Sequence, residues 1–490
     1  MAPHVMLHCG RINSSWGRMS DPADLLTLQR TAFDAARPEP LARRTDRIDR
    51  VIALLLEHGD ELAAAMSADF GSRSRDLSMM TDMLQAVSFA KYCRRHLAKW
   101  ARPERRGTTF PLGLIGGRAE VRYEPKGVIG IVSPWNFPVS LSFSPIVQAL
   151  AAGNRVMLKP SEVTERTSAL MAELIVHRFA AEEVAVVTGG ADAAAAFTAL
   201  PFDHLVFTGS TATGRKVMEA AARNLVPVTL ELGGKSPVIV GESAKLRRAG
   251  ERIALGKLMN AGQVCLAPDY LLVPEGRSDA MVGALTEAVD AMYPSVLAND
   301  DYTSIVNDHH FTRLQGLIED ARQKGAEVIE VNPAGEDFSA SNARKLPLTI
   351  LRNVDDGMAV MQEEIFGPLL PILTYETVGE AIAFVNRRPR PLGLYYFGED
   401  AVEREAVLTR TISGGVTVND VIFHVAQDDL PFGGIGASGM GSYHGPEGFR
   451  SFSHARGVYS QPRWDIAGLS GLKPPYGAAT RRALKMLLRK

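Results

Sequence analysis

Residues 127–162 read GVIGIVSPWNFPVSLSFSPIVQALAAGNRVMLKPSE, and the reading of this stretch decides the fold. The run over 127–154 carries no charge and is long enough to suggest a membrane span. Pro134, Pro138 and Pro145 break it, however, and Asn136 and Gln148 interrupt it. It therefore reads as a buried strand at 128–132, a turn, a helix around 145–152 and a second strand at 156–158. A helix around 164–179 follows, then short apolar strands at 184–187, 204–208 and 228–232, spaced to leave room for crossover helices. Together these predict an open, Rossmann-like parallel sheet of the dinucleotide-binding type.

Upstream, apolar residues recur at helical spacing from Pro22 to Trp100, as in Ile48, Val51, Ile52, Leu55 and Leu56, which predicts an α-helical entry segment. Over 106–125 the pattern changes. Gly113, Gly116 and Gly117 punctuate it before Ala119, Val121 and Tyr123 alternate with Glu120, Arg122 and Glu124, the pattern of an exposed hairpin strand. Downstream of Gly234 a second α/β series runs to about Asn419. A glycine-rich stretch at 431–441 follows, in which Gly433, Gly434 and Gly436 read as a loop passing close to other backbone. The basic tail at 478–490 reads as a solvated helix, with an amphipathic membrane contact as the alternative.

At 490 residues the chain is too long for one core, so two or three domains are expected. With 54 basic and 55 acidic residues, overall charge gives no pull towards nucleic acid or an acidic membrane, which leaves a small molecule as the expected partner. Cys9, Cys93 and Cys265 are too far apart for a CxxC pair or a metal cluster, so no metal site is expected and a reducing, cytoplasmic setting is. Residues 1–20 lack the apolar run of a signal peptide and read as a loose extension.

Several segments carry chemistry. Phe207-Thr208-Gly209-Ser210-Thr211-Ala212-Thr213-Gly214 joins a strand to a helix, where backbone N–H groups and the helix dipole favour a phosphate. Arg215 and Lys216 follow Gly214, so the lysine and hydroxyl of a nucleotide-triphosphate loop are out of place and an ATPase is rejected. By itself the loop reads equally as a plain tight turn. Lys159-Pro160-Ser161-Glu162 lies beyond the second strand, where a dinucleotide fold places the acid that binds the adenosine ribose; Glu162 is either that acid or an ordinary helix-entry residue. Glu231 sits among apolar strand residues before Gly233, Gly234 and Lys235, as a general base of raised pKa or as a buried partner of some lysine. Asn260-Ala261-Gly262-Gln263-Val264-Cys265 ends in a cysteine, and a cysteine taken alone is usually an inert core residue.

In combination these motifs resemble the aldehyde dehydrogenase superfamily over nearly the whole chain, to about Tyr459. The resemblance rests on Pro134 to Pro138, Lys159 to Glu162, Gly209-Ser210-Thr211 with Gly214, Glu231 to Lys235, Gly262 to Cys265 and Glu363 to Pro368. Ala267-Pro268-Asp269-Tyr270 and Pro431-Phe432-Gly433-Gly434 look like its class 3 branch, and the segments 301–307 and 419–424 resemble the bacterial coniferyl aldehyde dehydrogenases.

The resemblance implies NAD(P)-dependent oxidation of an aldehyde to its acid through a thiohemiacetal and a thioester on Cys265. Asn136 and the Cys265 backbone N–H would hold the oxyanion, and Glu231 would activate the hydrolytic water. Lys159 and Glu162 would bind the adenosine ribose, Gly209, Ser210 and Gly214 the pyrophosphate region, and Glu364 the nicotinamide ribose beside Phe366. NAD is the expected cofactor, with NADP use as well.

It also implies a cofactor-binding domain at 20–106 and 126–233, a catalytic domain at 234–432, an oligomerisation element at 107–125 and 450–462, and a tail at 463–490, in a homodimer. Some class 3 members carry a hydrophobic C-terminal anchor, but the basic tail of this sequence does not read as a stable membrane anchor. Phe137 and Phe423 suggest aromatic walls for a coniferyl-type aldehyde. The alternatives are a medium-chain aliphatic aldehyde, a CoA-acylating dehydrogenase, which Glu231 argues against, and a non-catalytic homologue.

Overall fold

In the computed structural model, which describes residues 21–110, 112–469 and 472–488, Arg155–Lys159 runs parallel to Val128–Val132, with Val132 opposite Lys159. The extension with Cys9, and Arg489 and Lys490 of the tail, lie outside the described residues. Ile129 and Ile131 enter one core and Val128 another, so the strand is covered on both faces and has no polar side to alternate with. Gly130 is required by crowding, because a Cβ there would lie 2.7 Å from the Phe202 ring.

The first sheet has six strands in the order Gly439–Met440, Val228–Leu232, His204–Gly209, Val128–Val132, Arg155–Lys159 and Val184–Val186. Successive strands leave Val128–Val132 first to one side and then to the other. The switch point thus lies between Val128–Val132 and His204–Gly209, whose carboxyl ends lead to Asn136 and to the Gly209-Ser210 turn.

The helix expected around 145–152 begins earlier, at Ser140, and contains Pro145. Asp82, from the entry helices, accepts the backbone N–H groups of Val139 and Ser140 at 3.1 Å each and so fixes the start from outside the local sequence. Near-complete burial of the helix offsets the donor lost at Pro145.

The second sheet has seven strands, in the order Glu327–Val331, Leu348–Arg352, Leu369–Tyr375, Tyr270–Pro274, Pro237–Val240, Gly393–Phe397 and Gly415–Val418, all parallel except the first pair. Gly233 and Gly234 lie on the short link from the first sheet to the second. A third, antiparallel sheet joins Glu104–Arg106, Arg118–Pro125 and Ser453–Ser460, so the hairpin takes in residues N-terminal to position 107. The glycine-rich loop does cross other backbone closely: a Cβ on Gly433 would lie 2.2 Å from the Gly441 carbonyl oxygen, and one on Gly434 would lie 1.9 Å from that of Ser438. The tail forms the helix Ala478–Leu487, with Leu484 and Met486 exposed. Among the described residues no helix is long and apolar enough to cross a membrane.

Candidate active site

Three consecutive residues ahead of Cys265 adopt left-handed backbone: Asn260 (φ 51°), Ala261 (φ 54°) and Gly262 (φ 76°). For the two non-glycine residues this costs on the order of 1 kcal/mol or more each, and it persists because buried hydrogen bonds over-determine it. The Gln263 side chain donates to the carbonyls of Asn260 (2.9 Å) and Ser304 (3.1 Å) and accepts the Val306 N–H at 2.9 Å. Gly262 passes so close to the Gly367 carbonyl that a Cβ would fall 2.3 Å from its oxygen. This tight turn delivers Cys265 to a cavity wall.

Asn136 reaches the same wall from the loop after Val128–Val132. Its side-chain amide donates one hydrogen bond to the Gln263 carbonyl at 3.1 Å, leaving the second N–H to spend on a ligand. Its own carbonyl accepts from Arg73 at 2.7 Å and from the Asn260 amide at 3.1 Å. Arg73 pairs with Asp82 at 2.6 Å, both fully buried. Sequence reasoning missed Arg73 and Asp82, which lie in an entry segment whose helical periodicity gives no cue to a buried ion pair.

The cavity is about 520 Å³, and its walls include Asn136, Glu231, Cys265, Gly209, Ser210, Glu364 and Phe366. Both Glu231 carboxylate oxygens are buried without a hydrogen-bond partner, and burial pushes this carboxyl well above the usual carboxylate range. The lysine partner that its sequence allowed is absent among the described residues, because Lys235 pairs with Asp269 instead. Burial, reinforced by Glu364 and Glu231, pushes the Cys265 thiol up. Burial and then Asp269 push Glu364 up to about 8, against the opposing Gly234 N–H, Lys235 and Arg313.

The Glu364 loop is clamped at several points. Asp269 accepts the Ile365 N–H at 2.9 Å, Lys235 donates to the Glu363 carbonyl at 2.9 Å, and Arg313 donates to the Ile365 carbonyl at 2.5 Å. Phe366 (φ 49°) turns its ring edge-on to Trp135, with centroids 5.3 Å apart.

Ser210 caps the helix Thr211–Ala222 by accepting the Thr213 N–H, so a helix does begin at the strand-to-helix turn. Gly214 lies off the wall and serves packing, since a Cβ there would meet Leu232 at 2.5 Å. Lys159 and Glu162 are also off this wall. Lys159 is buried at the carboxyl end of its strand, bonded to the Pro160 carbonyl (2.8 Å) and paired with Glu162 at 3.3 Å.

Of the two expected aromatic walls, Phe137 lines the cavity but Phe423 does not. Phe423 is half exposed beside Leu255 and Met292 in a separate groove. Positive φ at Asn419 (55°) and Ile422 (67°) turns the chain there, so that Ile422 and Val425 face the cavity in its place. Trp135, Phe432 and Tyr443 supply further rings, and none of them was picked out for that role from the sequence.

The model of the aldehyde dehydrogenase family matches residues 21–458. Coniferyl aldehyde dehydrogenase of a Pseudomonas species is 53% identical over 92% of this chain and 93% of that protein. The substrate-bound structure of Staphylococcus aureus AldH superposes with a TM-score of 0.88 at 36% identity, covering 95% of this chain and 99% of that one. A Mycobacterium tuberculosis aldehyde dehydrogenase complexed with NAD+ superposes with a TM-score of 0.81 at 30% identity, covering 90% of this chain and 91% of that one.

Proposed function

The chain belongs to the aldehyde dehydrogenase family, and from that membership we propose that it oxidises an aromatic, coniferyl-type aldehyde to its carboxylic acid by covalent catalysis at Cys265. The observation that carries this reading is the convergence of Cys265, Asn136 and the unpartnered Glu231 carboxyl on one cavity wall.

The site fits a nicotinamide dinucleotide. Glu364 Oε1 is buried without a partner, and Glu364 Oε2 packs so tightly against Gly233 that a Cβ there would fall 1.8 Å from it. The capped helix entry at Ser210 suits the pyrophosphate, Glu364 the nicotinamide ribose with Phe366 beside it, and the Lys159–Glu162 pair the adenosine ribose. Glu162 accepts from a 2′-hydroxyl and repels a 2′-phosphate, while Lys159 partly compensates, which makes NAD the first cofactor with NADP also used.

In the reaction, Cys265 Sγ forms a bond to the aldehyde carbon as its thiol proton is released to bulk water. The free Asn136 N–H and the Cys265 backbone N–H donate to the developing oxyanion. When bound, the nicotinamide ring supplies the acceptor for the hydride that leaves this carbon. Glu231 in its ionised form then takes a proton from water, whose oxygen attacks the resulting thioester; the acid departs and the proton held by Glu231 returns to the sulfur, restoring the thiol. The presence of a carboxyl at Glu231 argues for hydrolysis over acyl transfer to CoA.

A relative named for coniferyl aldehyde and the ring-rich wall of Trp135, Phe137, Phe432 and Tyr443 support the aromatic substrate. Leu141, Met259, Ile422 and Val425 on the same wall keep a medium-chain aliphatic aldehyde as the second reading. We further propose a homodimer that uses the three-stranded sheet. Initial rates with coniferaldehyde, benzaldehyde, hexanal and acetaldehyde, each with NAD and NADP, test the assignment. The aromatic aldehydes are expected to lead, and a hexanal kcat/KM well above both aromatic values overturns it. Cys265→Ala is expected to abolish oxidation while NADH still binds.

A further inference from the structure

The cavity walls divide by chain origin. The first sheet and its crossing, with the Glu364 loop, supply Gly209, Ser210, Gly233 and Glu364, whereas Thr81, Gln85, Leu141, Ile422, Val425 and Phe432 come from the entry helices, the buried Ser140–Ala152 helix and the chain beyond Asn419. This second wall is mostly apolar. Its polar members on the entry helices are Thr81 and Gln85, four residues apart and therefore on one helix face.

The hydroxyl of Thr81 is spent, donating to the Leu77 carbonyl at 2.8 Å and accepting from Arg73 at 3.4 Å. The Gln85 carboxamide makes no hydrogen bond with any described residue and is half-buried in the wall. A π-helical turn, Met79–Leu84, immediately precedes Gln85. Such a turn inserts one residue into a helix and rotates everything after it by roughly 100° relative to an uninterrupted helix. The turn is anchored inward by Asp82, which is tied to Arg73 and to the start of the Ser140–Ala152 helix. The same anchor that holds Asn136 through Arg73 therefore also sets which side chain of the next helix faces the cavity.

We propose that Gln85 is a specificity-determining residue that hydrogen-bonds oxygen substituents on the ring of an aromatic aldehyde, a proposal that rests on aldehyde oxidation at Cys265. A carboxamide offers an acceptor and two donors together, which matches a ring bearing a hydroxyl beside an ether oxygen. An apolar wall of this kind discriminates weakly by size alone, whereas a single placed polar group separates substrates that carry the matching oxygen from those that lack it. Gln85 therefore distinguishes oxygenated cinnamaldehydes from the bare hydrocarbon ring and from aliphatic aldehydes.

The test is the ratio of kcat/KM for coniferaldehyde to that for cinnamaldehyde, measured on the same preparations of the parent enzyme, Gln85→Leu and Gln85→Glu. A ratio of two substrates on one sample is insensitive to the fraction that is correctly folded. In Gln85→Leu the ratio is expected to fall about fivefold to tenfold, the value of one or two neutral hydrogen bonds. Gln85→Glu, which keeps an acceptor for the phenol hydroxyl, is expected to lose less. A parent ratio retained in Gln85→Leu overturns the assignment of Gln85 and leaves aldehyde oxidation standing. A parent enzyme that oxidises neither aldehyde overturns the underlying reading, and the assignment of Gln85 with it.

Discussion

The Arg73 guanidinium donates to the backbone carbonyl of Asn136 from Nη1 at 2.7 Å while its Nη2 is paired with Asp82 at 2.6 Å. One buried cation thus joins the entry helices to the loop that carries Asn136, the proposed oxyanion donor. Arg73→Met leaves the Asp82 carboxyl buried without its counter-charge, and a loss of about 3–5 kcal/mol is expected in urea unfolding. Arg73→Met combined with Asp82→Asn is expected to recover part of that loss. A single variant within about 1 kcal/mol of the parent would show that the pair does not anchor this loop.

Asn136→Ala removes a side-chain amide with one N–H committed to Gln263 and the other free. We expect kcat to fall roughly 10²–10³-fold, the usual effect of deleting one oxyanion donor, with KM changing far less. Steady-state kinetics with the best aldehyde check this, and a change of only a few-fold removes Asn136 from the oxyanion site.

Glu231→Gln has two expected consequences. Hydrolysis of the thioester is expected to slow by about 10²–10⁴, so that rapid mixing and intact-mass measurement find the acyl group on Cys265. The second is thermodynamic. Burial holds the Glu231 proton in the folded protein at pH values where the unfolded chain has released it, so this residue lowers stability progressively as pH rises above its ordinary range near 4.5. Glutamine does not titrate. The variant is expected to gain stability relative to the parent as pH is raised from 5 towards neutrality, measured by denaturant unfolding at each pH, and a constant difference would refute the buried, unpaired carboxyl.

Glu364 has its carboxyl pushed up to about 8, first by burial and then by Asp269. A carboxyl raised in this way gains its charge as pH rises through that range, and as a carboxylate it would accept the ribose hydroxyls proposed for it in stronger, charge-assisted hydrogen bonds. NADH affinity, followed by nicotinamide fluorescence from pH 6.5 to 9.5, is therefore expected to tighten several-fold through pH 8. In Glu364→Gln the dependence is expected to flatten; if the parent profile survives that substitution, another group is responsible.

How much of this was legible beforehand depends on how local each cause is. The strand Val128–Val132 was readable residue for residue, because burial on both faces demands an unbroken apolar run. The start of the next helix was not, because Asp82, more than fifty positions away, supplies the cap. Phe137 was placed correctly by following Asn136 in the chain. Phe423 was misplaced because two positive-φ residues reverse the side-chain direction there, and nothing in periodicity reports a turn built by asparagine and isoleucine.

The sequence by itself determined the family and the alternation of strands and helices, since ordered motifs and hydrophobic period are properties of the chain read in one dimension. It also singled out Cys265, Asn136 and Glu231 by their residue types within those motifs. Only the tertiary structure decided the charge partners: that Lys235 takes Asp269 and leaves Glu231 unpaired, that Arg73 grips the Asn136 backbone, and that Gln85 faces the cavity with its carboxamide unspent. The physical reason is that pairing and desolvation act over a few ångströms between segments far apart in the chain, and separation in sequence says nothing about those distances.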